Sequence, residues 1–232
     1  DAHHVTNLDI VGIFSHFARA DEPGQVQNDL QRARFKEMVA TLESFGFTNI
    51  VRHLSNSAAT LKDGDSRFDL VRTGIAIYGL TPDVNTLGTS VSLGLKSAMS
   101  LRAKLHLVKE VPANSPVGYG ATAVTERYTK LGIVAMGYAD GIPRVAQGAG
   151  IFVHGKRAPI IGRVSMDQFV VDLGTDSKAI SGEWVEVFGD GIAGGYTAED
   201  WGSASGSINY EIVTRIGPRV PRIYRSSSQA TE

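Results

Sequence analysis

"VRTGIAIYG", residues 71–79, is an apolar run broken by one charge, Arg72, placed two residues ahead of Gly74. A guanidinium in such a run must reach the surface, pair with a carboxylate, or point at something that accepts hydrogen bonds. Extended to 68–80, the segment reads as a β-strand, and that reading decides the fold. Upstream, "DIVGIFSHF" (9–17) and "NIVRHLSNS" (49–57) also read as strands. Between them lies a helical stretch, 24–46. Its apolar positions Leu30, Phe35, Met38, Val39, Leu42 and Phe45 recur at helical intervals, and Gly46 is placed to cap it. A short helix, 58–64, precedes the third strand. The order β-α-β-α-β predicts parallel strands with helical crossovers.

From about Leu93 the texture changes. The runs "AMSLRAKLHLVKEV", "KLGIVAMGYADG", "GIFVHGKRAPIIGRVSMDQFVVDL" and "GEWVEVFGDG" read as strand-like and are separated by Gly, Pro, Asn and Asp turns, which predicts a mainly β domain over 91–232. Short helices are expected near 197–203 and 208–215, and "SSSQATE" (226–232) reads as a frayed tail. The polar stretch 82–92 reads as the linker. Residues 1–90 supply only three parallel strands with two crossovers. That is a poor stand-alone domain, so the chain is expected to begin within a larger one.

The 232 residues carry 23 Lys and Arg against 24 Asp and Glu, a formal net charge of −1. This balance argues against a nucleic-acid-binding surface. With no Cys, thiolate metal sites and disulfides are excluded. No apolar run reaches the ~20 residues of a membrane span. The opening residues lack the basic region of a signal peptide, and a cytoplasmic setting is expected.

The strand ends carry chemistry. The first leads into Ser15–His16 and on to Asp21; the second into His53 and Asn56–Ser57; the third into Arg72–Thr73–Gly74–Ile75. In a βα-barrel, functional residues project from the C-terminal strand ends. Ser57 opens a helix, where its hydroxyl and nearby N–H groups suit an anion, and Gly74 lets backbone approach closely. Equally, Ser57 reads as a cap and Gly74 as a turn. His16, His53 and Asp21 also raise a metal-dependent barrel hydrolase, without a full ligand set to support it. In the second half, Tyr119 stands between two glycines, Tyr138 and Arg144 lie in "GYADGIPR", and Met166–Asp167 lie in "GRVSMDQ".

The stretches "SHFARADE", "HLSNSAATL", "VRTGIAIYGL", "VGYGAT", "GYADGIPR", "GRVSMDQ" and "INYEIVTRI" occur in this order along nearly the whole chain. Together they resemble the alanine racemases, fold-type III enzymes that use pyridoxal 5′-phosphate. The resemblance implies that residues 1–90 are the last strands of a cofactor-binding TIM-type βα-barrel, followed by the C-terminal β domain. It implies a homodimer with active sites at the subunit interface and L-/D-alanine as substrate, supplying D-alanine for peptidoglycan. By the same resemblance, Asn56, Ser57 and the backbone of Gly74 and Ile75 hold the cofactor phosphate. Arg72 faces the pyridine nitrogen, and His16 bridges toward Arg72 and a tyrosine. Tyr119 is that tyrosine, serving the partner subunit's site as one of two catalytic bases. Met166 and Asp167 meet the substrate, while Asp21, Tyr138, Arg144, Arg163 and Ile216 line the access corridor.

Two departures follow. Pro218 stands where many family members carry a phosphate-contacting tyrosine. The lysine that holds the cofactor in this family lies in the first half of the barrel; none of the lysines here, Lys62, Lys96, Lys104 and Lys109 among them, sits in its motif. The alternatives are a serine or broad-specificity racemase, or a non-catalytic dimerisation module.

Overall fold

The computed structural model describes residues 7–225, so the expected tail at 226–232 lies outside the described residues. The chain divides into two compact units, 1–98 and 99–232.

In the first unit, strand β1 (Gly12–Phe14) pairs in parallel with β2 (Val51–His53), Gly12 facing Val51. Gly12 is required there, because a Cβ would lie 2.8 Å from the Val51 carbonyl oxygen. Helix α1 (Val26–Ser44) makes the crossover. It ends in a left-handed Gly46, with Phe47 N–H on the Leu42 carbonyl and Gly46 N–H on that of Glu43. Helix α2 (Ser57–Lys62) follows β2, capped by Asn56, whose side chain accepts from the Ala59 N–H at 3.1 Å. Phe17, Phe35, Val39, Leu54, Ala58, Ala59 and Leu87 form the core.

One expectation fails here: the predicted third strand is not a strand. Asp69 N–H bonds to the Arg52 carbonyl and Arg72 N–H to that of Ser55. A strand offers its bonds to one neighbour at alternate residues, and this spacing of three breaks the ladder. Gly74 then turns the chain into a 3-10 helix, Ile75–Tyr78, closed by left-handed Gly79. A Cβ on Gly79 would lie 1.7 Å from the Lys96 carbonyl oxygen, so only glycine fits. Helix α1 bears out the helical reading of 24–46 and carries two apolar stripes. Phe35 and Val39 are buried, whereas Leu30, Met38 and Phe45 are more than half exposed and share a second stripe with Val26.

The second unit contains β3 (Leu101–Val111), β4 (Pro116–Val117), β5 (Ala123–Val124), β6 (Thr129–Val134), β7 (Gly150–Val153), β8 (Lys156–Pro159), β9 (Phe169–Asp172) and β10 (Trp184–Phe188). Six of these form an antiparallel sheet in the order β8-β7-β10-β3-β6-β9. Its two ends meet: Ile160, just after β8, bridges Val171 on β9, and Ile161 N–H donates to the Val170 carbonyl. The sheet is therefore a closed ring. Fully buried Leu105, Val134, Ile151, Val171 and Val187 pack in its core. Helices α3 (Ala198–Ala204) and α4 (Asn209–Arg215) fall close to where the sequence places them. Thr197 and Asp200 cap α3 reciprocally, each side chain on the other's N–H. Trp201 is buried on Phe169 and donates its indole N–H to the Val187 carbonyl at 2.7 Å.

Candidate functional site

Each unit gathers its own set of the sequence-selected residues. In the first, Arg72 lies at the ends of β1 and β2. Its Nη1 stands 2.9 Å from His53 Nδ1 and 3.0 Å from the His53 carbonyl oxygen. Its Nη2 stands 2.7 Å from the Ser15 carbonyl and 3.2 Å from His16 Nδ1. The guanidinium also lies 5.5 Å from the Phe14 ring, which stacks on His53. The nearest acid in sequence, Asp69, is engaged by Arg52 in a paired contact at 2.7 and 2.8 Å and by the Arg52 N–H. That paired hydrogen bond holds the Asp69 carboxyl well below the usual carboxylate range. Among the described residues, no carboxylate lies within ion-pair distance of Arg72.

Arginine only donates, so both imidazoles must turn a lone pair on Nδ1 toward it and carry their proton on Nε2. Two ring nitrogens and three carbonyls, those of Ser15, His53 and Leu54, thus fix a cation that no anion neutralises. In the sequence, His53 stands at an expected strand end and among candidate metal ligands, with no sign of Arg72 as its partner. Its pairing with Arg72 follows from β1–β2 register, which places it beside Phe14 and which no local motif reveals. Both histidines spend Nδ1 on Arg72, and no group of three His, Asp or Glu side chains among the described residues is arranged for a metal.

Next to Arg72, buried Ser57 accepts from the Gly74 N–H at 2.9 Å and the Ala76 N–H at 3.4 Å. A hydroxyl has two lone pairs and one proton, so these contacts leave the proton to donate. A Cβ on Gly74 would meet nothing within 4 Å, so the space beside Gly74 itself is open. Asn56 spends its side-chain oxygen on capping α2. Ile75 is buried and opens the 3-10 helix. The Ser57 proton suits an anion such as a phosphate ester; the Arg72 Nη hydrogens are engaged by its ring-nitrogen and carbonyl contacts, which leaves Nε–H as the donor that can meet an aromatic nitrogen's lone pair. Asp21 is exposed on the turn after β1, and its carbonyl accepts from the Thr86 hydroxyl.

In the second unit, Tyr119 sits on a short turn between Gly118 and Gly120, both with positive φ, and is 74% exposed. Gly118 packs on the backbone of Arg163, whose residue is itself exposed. Tyr138 and Ala139 donate their N–H groups to the carbonyls of Ser165 and Met166 at 3.0 and 2.9 Å. Met166 and Asp167 are exposed at the tip of this loop, as is Arg144 beyond the turn. Ile216 is buried beneath Gly141. Pro218 is exposed and offers no N–H or hydroxyl. The turn thus unites Tyr138, Met166, Asp167 and Ile216, with Arg219 between them, a residue the sequence reading did not select.

Against known proteins, residues 1–82 match the family model "Alanine racemase, N-terminal domain" and residues 98–224 match "Alanine racemase, C-terminal domain". The chain is 51% identical over 218 residues to the alanine racemase of Streptomyces coelicolor, covering 94% of this chain and 55% of that protein. It is 42% identical to that of Mycobacterium bovis, covering 93% and 56%. Among solved structures, the alanine racemase of D-cycloserine-producing Streptomyces lavendulae superposes with a TM-score of 0.89 at 52% identity, covering 94% of this chain and 56% of that one. The Bacillus anthracis alanine racemase with bound L-Ala-P gives 0.82 at 38% identity, covering 95% and 56%. The chain spans little more than half the length of the relatives it matches. With both family domains matched in order and a fold shared across 94% of its length, the chain belongs to the alanine racemases, a family of isomerases.

Proposed function

We propose that residues 1–232 are part of an alanine racemase that interconverts L- and D-alanine with pyridoxal 5′-phosphate. The observation that carries this reading is Arg72, held by two imidazoles and three carbonyls with no carboxylate opposite it. When bound, pyridoxal phosphate withdraws electrons from the α-carbon of an amino acid and so acidifies its hydrogen. Arg72 would bind the ring nitrogen as a donor. With a pKa above ~12 it cannot hand over a proton. It therefore keeps that nitrogen unprotonated and limits the electron sink, which favours rapid reprotonation over side reactions. Ser57, with Gly74, Ile75 and the α2 start capped by Asn56, would hold the phosphate.

Racemisation needs one base on each face of the α-carbon. Tyr119 serves as one of them, reaching the site of the partner subunit in a homodimer, with His16 linking it to Arg72. The second base is the family's cofactor lysine, which none of the lysines of 1–232 matches in motif. Residues 1–90 act as the closing part of the barrel, and 91–232 as the β domain that carries Met166 and Asp167 to the substrate. The family match favours alanine over serine as substrate, and D-alanine supply to peptidoglycan follows from that choice.

The test joins these residues to a barrel half that supplies the lysine. Alanine turnover in both directions, with one lysine labelled by borohydride in the presence of pyridoxal phosphate, supports the reading. Stoichiometric labelling and turnover by residues 1–232 alone would show that the site is built differently.

A further inference from the structure

Arg219 lies where three segments of the second unit meet. Its Nε stands 3.2 Å from Asp140 Oδ1, and its Nη2 donates to Asp167 Oδ1 at 2.7 Å. Asp140 is buried, and its other oxygen accepts the Gly137 N–H at 2.8 Å. The Asp140 carbonyl accepts the Gly217 N–H at 2.9 Å. Gly137 in turn presses on the Met166 loop; a Cβ there would lie 2.3 Å from the Met166 carbonyl oxygen and 2.4 Å from that of Ser165. Arg222 gathers the carbonyls of Ile216, Gly217 and Val220, which stiffens the segment from which Arg219 projects. One guanidinium therefore ties the 137–141 turn, the 165–168 loop and the 216–222 segment together.

The two carboxylates differ in setting. Asp140 is 11% exposed and already holds a backbone N–H; Asp167 is 59% exposed, and Arg219 is its only cation in an ion pair among the described residues. Losing Arg219 would take the ion pair from both carboxylates: Asp140 would keep only its Gly137 N–H, and Asp167 would be left beside Met166 with no ion-pair cation among the described residues. A substrate that enters past this loop as a carboxylate would be repelled by that charge.

We propose that Arg219 is a positioning residue of the racemase site: by bridging Asp140 to Asp167 it fixes the Met166–Asp167 loop and neutralises Asp167 so that a substrate carboxylate can approach. This rests on the functional reading above. It gives Arg219 no contact of its own with cofactor or substrate, so its effect would travel through Asp167 and the loop.

Two measurements on the complete protein test it, with Arg219→Gln and Arg219→Lys as variants. Hydrogen exchange reads the loop without any activity. In Arg219→Gln, the Tyr138 and Ala139 amides, which donate to the Ser165 and Met166 carbonyls, should lose protection, while the β3–β6 ladder keeps its own. Arg219→Lys, which restores charge without the fork, should fall between. Kinetics read the charge. Arg219→Gln should raise KM for alanine about tenfold with kcat within about threefold. The same substitution made on an Asp167→Asn background should change KM far less. Unchanged exchange at Tyr138 and Ala139 overturns the proposal. So does a KM effect as large on the Asp167→Asn background as with Asp167 in place, or a loss confined to kcat. If the unsubstituted protein does not racemise alanine, the functional reading fails, while the exchange result still decides whether Arg219 holds the loop.

Discussion

Nη1 of Arg72 lies 2.9 Å from Nδ1 of His53, a donor that never releases its proton facing a ring nitrogen that must therefore carry none. His53 is in turn stacked on Phe14 at 5.3 Å, 18° from parallel, so its plane is set before Arg72 meets it. We expect nitrogen NMR to find His53 as the Nε2–H tautomer. Replacing His53 with Phe keeps the stack and removes the acceptor. That change should cost about 1 kcal/mol of stability in denaturant unfolding.

Ser57→Ala removes the oxygen that holds the Gly74 and Ala76 N–H groups, as well as the proton offered to an anion. Affinity for pyridoxal phosphate, titrated by absorbance in the complete enzyme, should fall about tenfold, the loss of one hydrogen bond to a charged group. An unchanged affinity would place the phosphate elsewhere.

Tyr119→Phe in the complete enzyme should separate the two directions of reaction. Exchange of the α-hydrogen with deuterated water should slow by about 100-fold starting from L-alanine and far less starting from D-alanine. Small and equal effects would remove Tyr119 from proton transfer. The exposure of its ring in this unit, between two glycines, is what a residue serving a neighbouring surface requires.

Glu186 on β10 gives a prediction about pH. Its carboxyl lies against Gly189 and Gly195, where a Cβ would come within 2.8 Å of it. Burial, reinforced by Asp190 and opposed by Arg102, raises its pKa above the ordinary glutamate value. A carboxyl whose folded pKa is raised favours the folded state at low pH and loses that contribution as pH rises through the folded pKa. Glu186→Gln should therefore raise Tm at pH 8, by roughly 2–4 °C. Below about pH 4, where both states are neutral in the wild type, the difference should vanish. Equal Tm gains at both pH values would mean that burial of the charge is not the cause.

What the sequence made legible and what it hid differ in physical kind. Alternation and turn residues marked the stretches that hold β7, β8 and β10, and the helix expected near 197–203 lies one residue from where α3 begins. Those signals are local. The apolar run at 68–80 misled because apolar character does not require a ladder: Asp69 and Arg72 reach β2 at a spacing that suits two isolated bonds, and Gly74 and Gly79 then favour a tight helix. Helix periodicity located α1 but could not say which of two apolar stripes packs. In the candidate site, Arg72, Ser57 and Gly74 stood out as odd residue types at the ends of expected strands. The roles of His53 and Arg219 stayed hidden, because their partners lie 19 and 52 or more residues away and are brought close only by folding.

The meeting of Ile160 with Val171 has a consequence for self-association. Closure at the β8–β9 seam removes the two free edges that the six-stranded sheet would otherwise present, which leaves the short β4–β5 pair as the separate open-edged sheet of the second unit among the described residues. In the first unit, β1 pairs on one side only among the described residues, and Val11 and Phe14 beside it are each 68% exposed. For residues 1–232 on their own, that open flank of β1 is a place where a foreign strand can add, and a charged side chain at Val11 should discourage it.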